Sequence, residues 1–318
     1  MSPIHSRATR ALAKAATIAA LAACSGAEPT ATRAEPLAPP SAAELDVGTT
    51  ARPGGQPTLL AYVSGRSNAY DLYVLDVSNG RSHRITRDRA SIFSPAWSPD
   101  GSTIAYSSNH EDGHVDIYTV SGAGGAPVRL THDPALATAP DWTPDGSRIA
   151  FTSLRDGQAE IYVMNADGTN QVNLTNHASH DNSPTWSPDG SRIVFSSERN
   201  GGQHLFVMNA DGTGVTQHTF GSGMEYIASW SPDGTRLVFP SYDGTQYDLF
   251  VMNADGSNRT RLTSTAASES SPKWSTHGIA FALSEGDSRN LFVMQPDGSE
   301  VTQLTRGGVP SFQPDWKP

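Results

Sequence analysis

Six tryptophans set the frame of this chain. Trp97, Trp142, Trp186, Trp230, Trp274 and Trp316 stand 45, 44, 44, 44 and 42 residues apart, and no tryptophan falls off that beat. The unit is clearest at Trp186-Ser-Pro-Asp-Gly190, followed by Ser-Arg-Ile-Val-Phe-Ser197. A period in the low forties, carrying several short apolar runs bounded by Gly, Asn or Ser, describes a blade of a β-propeller. A helical repeat would instead show 3.6-residue periodicity.

The phase of the repeat predicts how the ring closes. Leu59 to Ser64, Asp71 to Asp76 and Arg81 to Thr86 read as strands before the first tryptophan strand, Ser94 to Trp97. The chain thus starts on a second strand and ends on a tryptophan strand, Gln313 to Trp316. Pairing of that last strand beside Leu59 to Ser64 completes a blade and leaves no open sheet end. The expectation is one all-β domain over residues 58–318, a six-bladed propeller of four-stranded antiparallel blades.

The turns have local reasons. Pro-Asp-Gly at Pro99, Pro144, Pro188 and Pro232 puts Pro where φ is already near −65° and Gly where φ is positive, giving tight connections between first and second strands. Asn-Ala-Asp-Gly at Asn165, Asn209 and Asn253, with the variant Pro296-Asp-Gly298, does the same between third and fourth strands. These lack the upstream carboxylates and downstream glutamate of a calcium loop, so they read as turns. The tryptophans, with Ile, Val and Phe pairs, are expected to fill the space between blades.

Ahead of the propeller, Arg7, Arg10 and Lys14 precede a short apolar run, Ala15 to Ala23, that ends in Leu21-Ala-Ala-Cys24. A charged segment, a brief apolar segment and small residues form an export signal over residues 1–23, too short to span a bilayer permanently. Leu-Ala-Ala-Cys resembles the bacterial lipobox, which implies lipidation at Cys24. Residues 24–57, rich in Ala, Pro, Thr and Glu, are expected to be a disordered tether. Cys24 is the only cysteine, so the remainder has no disulfide or thiolate chemistry. Without the three signal cations, 22 basic residues fall to 19 against 32 acids, a balance near −13. That disfavours nucleic acid and anionic lipid, which both reward a basic face.

Leu-Thr, then Ser-Pro-x-Trp-Ser-Pro-Asp-Gly-x-x-Ile-x-Phe, then Ile-Tyr-Val-Met-Asn-Ala-Asp-Gly resembles the repeat of the TolB-type (PD40, WD40-like) propeller family. Residues 174–212 are the cleanest copy and the match runs from about 58 to 318. The resemblance implies a periplasmic protein-binding module, which in that family engages the peptidoglycan-associated lipoprotein Pal. The family's namesake also carries an α/β domain ahead of its propeller, for which residues 25–57 are too few. The repeat is similar, too, to propellers of prolyl oligopeptidase-like peptidases and of some oligogalacturonate lyases. Serine hydrolysis is set aside because no Gly-x-Ser-x-Gly elbow is present.

A site is expected on the face whose loops differ from blade to blade. Five residues before each tryptophan stand Ile92, Ala137, Asp181, Glu225, Glu269 and Ser311. Three successive carboxylates, with His177 and His180 nearby, predict an acidic rim at the channel mouth that docks a basic partner loop or a cation. The leading reading is a non-enzymatic, cofactor-free envelope lipoprotein, monomeric and lipid-anchored at the outer membrane facing the periplasm, whose propeller binds a Pal-like or peptidoglycan-associated protein. The alternative, implied by the lyase resemblance, is a metal-dependent polysaccharide lyase or hydrolase. It would recruit His177, His180 and Asp181, with Glu225, for zinc, manganese or iron, and Arg87, Arg89 or Lys273 for a uronate carboxylate.

Overall fold

The computed structural model describes residues 58–66, 69–87, 90–111 and 113–318. The signal, Cys24, the tether and Arg89 lie outside the described residues. The described chain forms six antiparallel sheets, which we number as blades around the ring. Blade 4 has the unit in its plainest form: Asp181–Trp186 innermost, then Arg192–Ser197, His204–Asn209 and Thr216–Gln217. Blades 2, 3, 5 and 6 place Trp97, Trp142, Trp230 and Trp274 at the end of the same inner strand. Blade 1 is composite. Its inner strand Ser311–Trp316 pairs with Leu59–Arg66, with Leu60 opposite Trp316 and Ser64 opposite Ser311. The closure expected from the repeat phase is the one observed.

The second strands are buried on both faces, as Ile193, Val194, Phe195, Ser196 and Ser197 illustrate. The reason is that each blade is covered by two neighbours. The apolar clusters accordingly form between blades: Ala150, Ile161 and Val163 of blade 3 pack with Trp186, Phe195, Phe206 and Met208 of blade 4. Val194, Leu205 and Val207 of blade 4 pack with Trp230, Leu237 and Phe239 of blade 5. A buried tryptophan removes roughly 150–250 Å² from water, so each seam gains several kcal/mol from its tryptophan alone.

Each inner strand is also kinked at one position. Ser94, Ala139, Ser183, Ile227, Ser271 and Gln313, three residues before each tryptophan, have φ between 49° and 55°. The next residue is Pro95, Pro140, Pro184, Pro272 or Pro314, with Ala228 in blade 5. The left-handed residue and the missing proline N–H break the ladder there, and the register slips at this point in blades 1, 2, 3, 4 and 6. In blade 5 the inner strand is split outright into Met224–Glu225 and Ser229–Trp230.

One face of the ring is assembled from the repeated turns, and the structure adds a part the turn reading did not assign. The aspartate is the hub. Asp189 Oδ1 accepts from Ser187 Oγ at 2.6 Å, Ser191 N at 3.0 Å and Ser191 Oγ at 2.8 Å. The Ser187 hydroxyl, followed by the Ser191 donors, holds its carboxyl down at about 2. The Asn-Ala-Asp-Gly turns dock on the preceding blade. A Cβ on Gly212 (φ 86°) would lie 2.7 Å from the Leu174 carbonyl oxygen, and one on Gly168 would meet Leu130 in the same way. This turn face is therefore occupied with its own construction.

Candidate functional site

The residue before each tryptophan ties its blade to the next. Trp97, Trp186 and Trp274 donate their backbone N–H to Asp315 Oδ2, Asp141 Oδ2 and Ser229 Oγ of the preceding blade, at 2.6, 2.8 and 3.0 Å. Trp142, Trp230 and Trp316 instead donate their indole N–H to the carbonyl oxygens of Ala96, Thr185 and Lys273, each at 3.2 Å. The two modes alternate around all six seams. Blades 1, 3 and 5 carry Asp315, Asp141 and Ser229 as side-chain acceptors, whereas blades 2, 4 and 6 offer a main-chain carbonyl.

One member of this ring also reaches across the channel. Lys273 Nζ reaches Asp315 Oδ1 of the neighbouring blade 1 and Asp141 Oδ1 of the opposite blade 3, both at 3.2 Å. Burial pulls the ammonium pKa down, but Asp315 and Asp141 outweigh it and hold it above the ordinary lysine value. Burial pushes Asp315 up to about 6, against the opposing pull of Lys273. A cavity of about 80 Å³ beside these groups is lined by the six kinked positions together with Asp141, Thr185 and Lys273. Lys273, which the lyase reading offered to a uronate, is already held by two carboxylates.

The three carboxylates expected at the rim lie beneath it. Asp181, Glu225 and Glu269 have no exposed surface. Their surroundings follow from the threonine of each Leu-Thr, His-Thr or Ile-Thr pair, which sequence reading placed at the end of the fourth strand without assigning it a bonding role. Thr86, Thr131, Thr175, Thr219, Thr263 and Thr305 each accept a backbone N–H from the third strand at 2.8–3.0 Å. Each hydroxyl then donates onward. In blades 1 to 3 the acceptor is an acid at the head of the third strand: Asp71, Asp116 or Glu160. In blade 4 that position is His204, and the Thr219 hydroxyl is taken by Glu225 from the next blade, at 3.2 Å. Glu225 is completed by His204 Nδ1 at 3.0 Å, Arg259 at 3.1 Å and Ser241 Oγ at 3.0 Å.

Blade 5 keeps its own acid, Asp248, and also receives one from the next blade, whereas blade 6 has Asn290 and Ser311 at these two positions. Asp248 pairs with Arg261 at 2.7 Å, and Glu269 from blade 6 takes the hydroxyls of Thr265 at 2.6 Å and Thr263 at 3.1 Å. Burial first, with the Asp248 charge adding to it, pushes Glu269 up to about 7. Asp181 pairs with Arg199 at 2.6 Å through Oδ2, while its buried Oδ1 has no hydrogen-bond partner. His180 Nδ1 accepts from Ala159 N at 3.1 Å and His177 Nδ1 from Ser179 N at 3.1 Å. Among the described residues no group of three or more His, Cys, Asp or Glu is placed to hold a metal ion. Arg87 is exposed on the loop side.

The arginines in this layer stand on aromatic rings as well as beside carboxylates. Arg199 lies 5.3 and 5.1 Å from the rings of Phe195 and Phe206, and Arg259 lies 5.5 and 4.6 Å from Phe239 and Phe250. The loop face thus rests on a layer of largely buried acids, five of them ion-paired and Glu160 and Glu269 held by threonine hydroxyls. Unlike loops sit above it.

Comparison with known proteins places this architecture. The model of the TolB beta propeller domain family matches residues 49–318. The chain is 45% identical over 53 residues to the Tol-Pal system protein TolB of Bordetella avium, covering 17% of this chain and 12% of that protein. Against the TolB of Chromobacterium violaceum it is 46% identical over 59 residues, covering 19% and 14%. The chain therefore matches less than a sixth of the length of these curated relatives. Among solved structures, TolB from Acinetobacter baumannii superposes with a TM-score of 0.75 at 27% identity, over 82% of this chain and 67% of that one. The putative TolB of Agrobacterium tumefaciens gives 0.66 at 21% identity over 83% and 100%, a likeness of fold alone.

Two measurements test this layer. Lys273→Met leaves buried Asp315 and half-buried Asp141 without their cation and is expected to lower unfolding free energy by about 2–3 kcal/mol. The triple change Asp141→Asn/Lys273→Met/Asp315→Asn keeps acceptors for the Trp186 and Trp97 N–H groups and should recover most of it in urea titrations. A wild-type midpoint for Lys273→Met would show that the cross-channel pair carries no stability. For Glu269, the folded state binds its proton more tightly than the unfolded chain, so this group costs no stability below pH 4.5 and an increasing amount as pH rises from there through about 7. Glu269→Gln should remove that cost and raise stability at pH 8 by on the order of 1–3 kcal/mol; a melting profile parallel to wild type from pH 5 to 8 would contradict the assignment.

Proposed function

The chain belongs to the TolB β-propeller family, and from that premise we propose that it is a non-enzymatic protein-binding module of the bacterial cell envelope, recognising its partner through the loop face of the ring. One contrast carries the reading. The turn face repeats the same chemistry in blade after blade, with the Asp hubs saturated by their own turns. The loop face is different in every blade and stands on a buried layer of acids held by arginines and threonine hydroxyls. Unlike loops on a rigid support are how a scaffold presents a specific surface without losing entropy on binding. The ion-pair latch of Lys273 across the channel favours a partner seated on the face over one threaded through the ring.

The partner supported by kinship is an envelope protein of the Pal-like, peptidoglycan-associated kind, since the relatives are named as Tol-Pal system proteins. Asp181, Glu225 and Glu269 serve this surface from below, fixing the loops that bear it, together with His177 and His180. Cys24 is the proposed lipid attachment point, holding a monomeric propeller at the outer membrane on the periplasmic side. Cys24→Ser should abolish incorporation of labelled palmitate and release the protein from the membrane fraction; continued labelling would exclude Cys24.

The face itself is tested by affinity capture from the native envelope with residues 58–318. Ala178→Arg/Ala266→Arg adds two bulky cations to exposed loop-face positions, and Thr276→Arg adds one to an exposed turn-face position. Capture of the dominant partner should fall at least about tenfold in the first variant and persist in the second. The opposite pattern would place the interface on the turn face.

A further inference from the structure

The loop between blades 4 and 5 departs from its five counterparts. The residue after the bridging threonine is Arg87, His132, Asn176, Ser264 or Arg306 elsewhere, but Phe220 here. Phe220 is 68% exposed and Met224, four residues on, is 39% exposed. Between them lies Gly221-Ser222-Gly223, and Gly221 has φ 106°. The loop is anchored at its end, where Glu225 N donates to Gln203 O at 2.8 Å and Met224 pairs with Tyr242. Two apolar side chains are thus held up into solvent by a fixed base.

The charges around them are sorted by sign. The blade 4 loop containing Gln203 carries exposed Glu198, and the blade 5 loop after Tyr242 carries exposed Asp243. Asp243 accepts from Thr245 Oγ1 at 2.6 Å, Thr245 N at 2.9 Å and Gln246 N at 3.2 Å. Those bonds, the Thr245 hydroxyl first, keep it ionised down to about pH 2. The arginines of the same blades are ion-paired: Arg199 with Asp181, Arg259 with Glu225, and the part-exposed Arg261, which also lies near Asp243, with Asp248. The loops joined to the Phe220 loop through Gln203 and Tyr242 thus present Glu198 and Asp243 to solvent as charges not held in an ion pair among the described residues.

We propose that Phe220 and Met224 are the anchor of the loop face, and that they receive a polypeptide segment in which an apolar side chain is flanked by lysine or arginine. This rests on the protein-binding reading above and narrows it to one corner of the ring. Burial of Phe220 supplies the attraction, and Glu198 and Asp243 select the basic flank. These two acids disfavour an anionic membrane as the occupant.

The test uses the propeller of residues 58–318 and a short fluorescein-labelled peptide of lysines around a Leu-Trp pair, read by anisotropy. Two control peptides replace the lysines by glutamate or the Leu-Trp pair by serine. The expected result is binding of the first peptide alone, weakened about tenfold by Phe220→Ser and about threefold by Glu198→Lys, with unchanged circular dichroism in both variants. Added salt should weaken it further. Equal binding of the glutamate peptide, no change in Phe220→Ser, or preferential binding of phosphatidylglycerol vesicles would each overturn the proposal. If the envelope partner is captured through the loop face while Phe220→Ser leaves capture unchanged, this anchor is wrong and the protein-binding reading stands. If Ala178→Arg/Ala266→Arg also leaves capture unchanged, the loop-face reading fails with it.

Discussion

The ring depends on one hydrogen bond per seam, made at the foot of each inner strand by a tryptophan and the residue before the preceding tryptophan. The indole fills the gap between blades, and either its ring N–H or its backbone N–H reaches back across that gap. The two jobs fall on one residue because the kink three positions earlier brings adjacent inner strands together. Ten non-glycine residues of the described chain have positive φ, and six of these are the kinks. Such a conformation is unfavourable for any residue with a Cβ, above all for Ile227. It persists because it recurs at the narrowest part of the ring, where every blade requires it.

Much of this was legible in the sequence. Tryptophan spacing fixed the blade count, the phase of the strands fixed the closure, and Pro-Asp-Gly fixed the turns. The alternation of seam bonds was not legible, although its residues are plain in hindsight: Ala96, Asp141, Thr185, Ser229, Lys273 and Asp315 look like free variation until the inner strands are seen side by side. Asp141 and Lys273 are 132 residues apart and meet only because blades 3 and 6 are opposite.

The buried acids teach the same lesson at closer range. Asp181, Glu225 and Glu269 occupy one repeat position, which made a common rim the natural expectation. Their surroundings are set by other positions. Glu225 sits where His204 has replaced an acid, and Glu269 sits beside an acid that remains, Asp248; burial first, with the Asp248 charge adding to it, drives Glu269 up to about 7. A side chain's role here is decided by what the neighbouring blade puts opposite it, and single-repeat patterns do not record that. The aromatic departure at Phe220, by contrast, was visible by aligning the repeats to one another, a comparison across blades rather than along one.

Division of labour between the two faces is the feature that connects fold to function. One face holds the ring together by repetition, and the other is free to differ because the buried acids beneath it have their hydrogen-bond and ion-pair partners within the blades. Amide hydrogen exchange on residues 58–318, with and without the captured envelope partner, tests that division most directly. The account predicts slowed exchange in residues 198–203, 219–225 and 242–247, and unchanged exchange in the Pro-Asp-Gly turns at Pro99, Pro144, Pro188 and Pro232. Protection confined to those turns, with the loops exchanging as in the free protein, would contradict it.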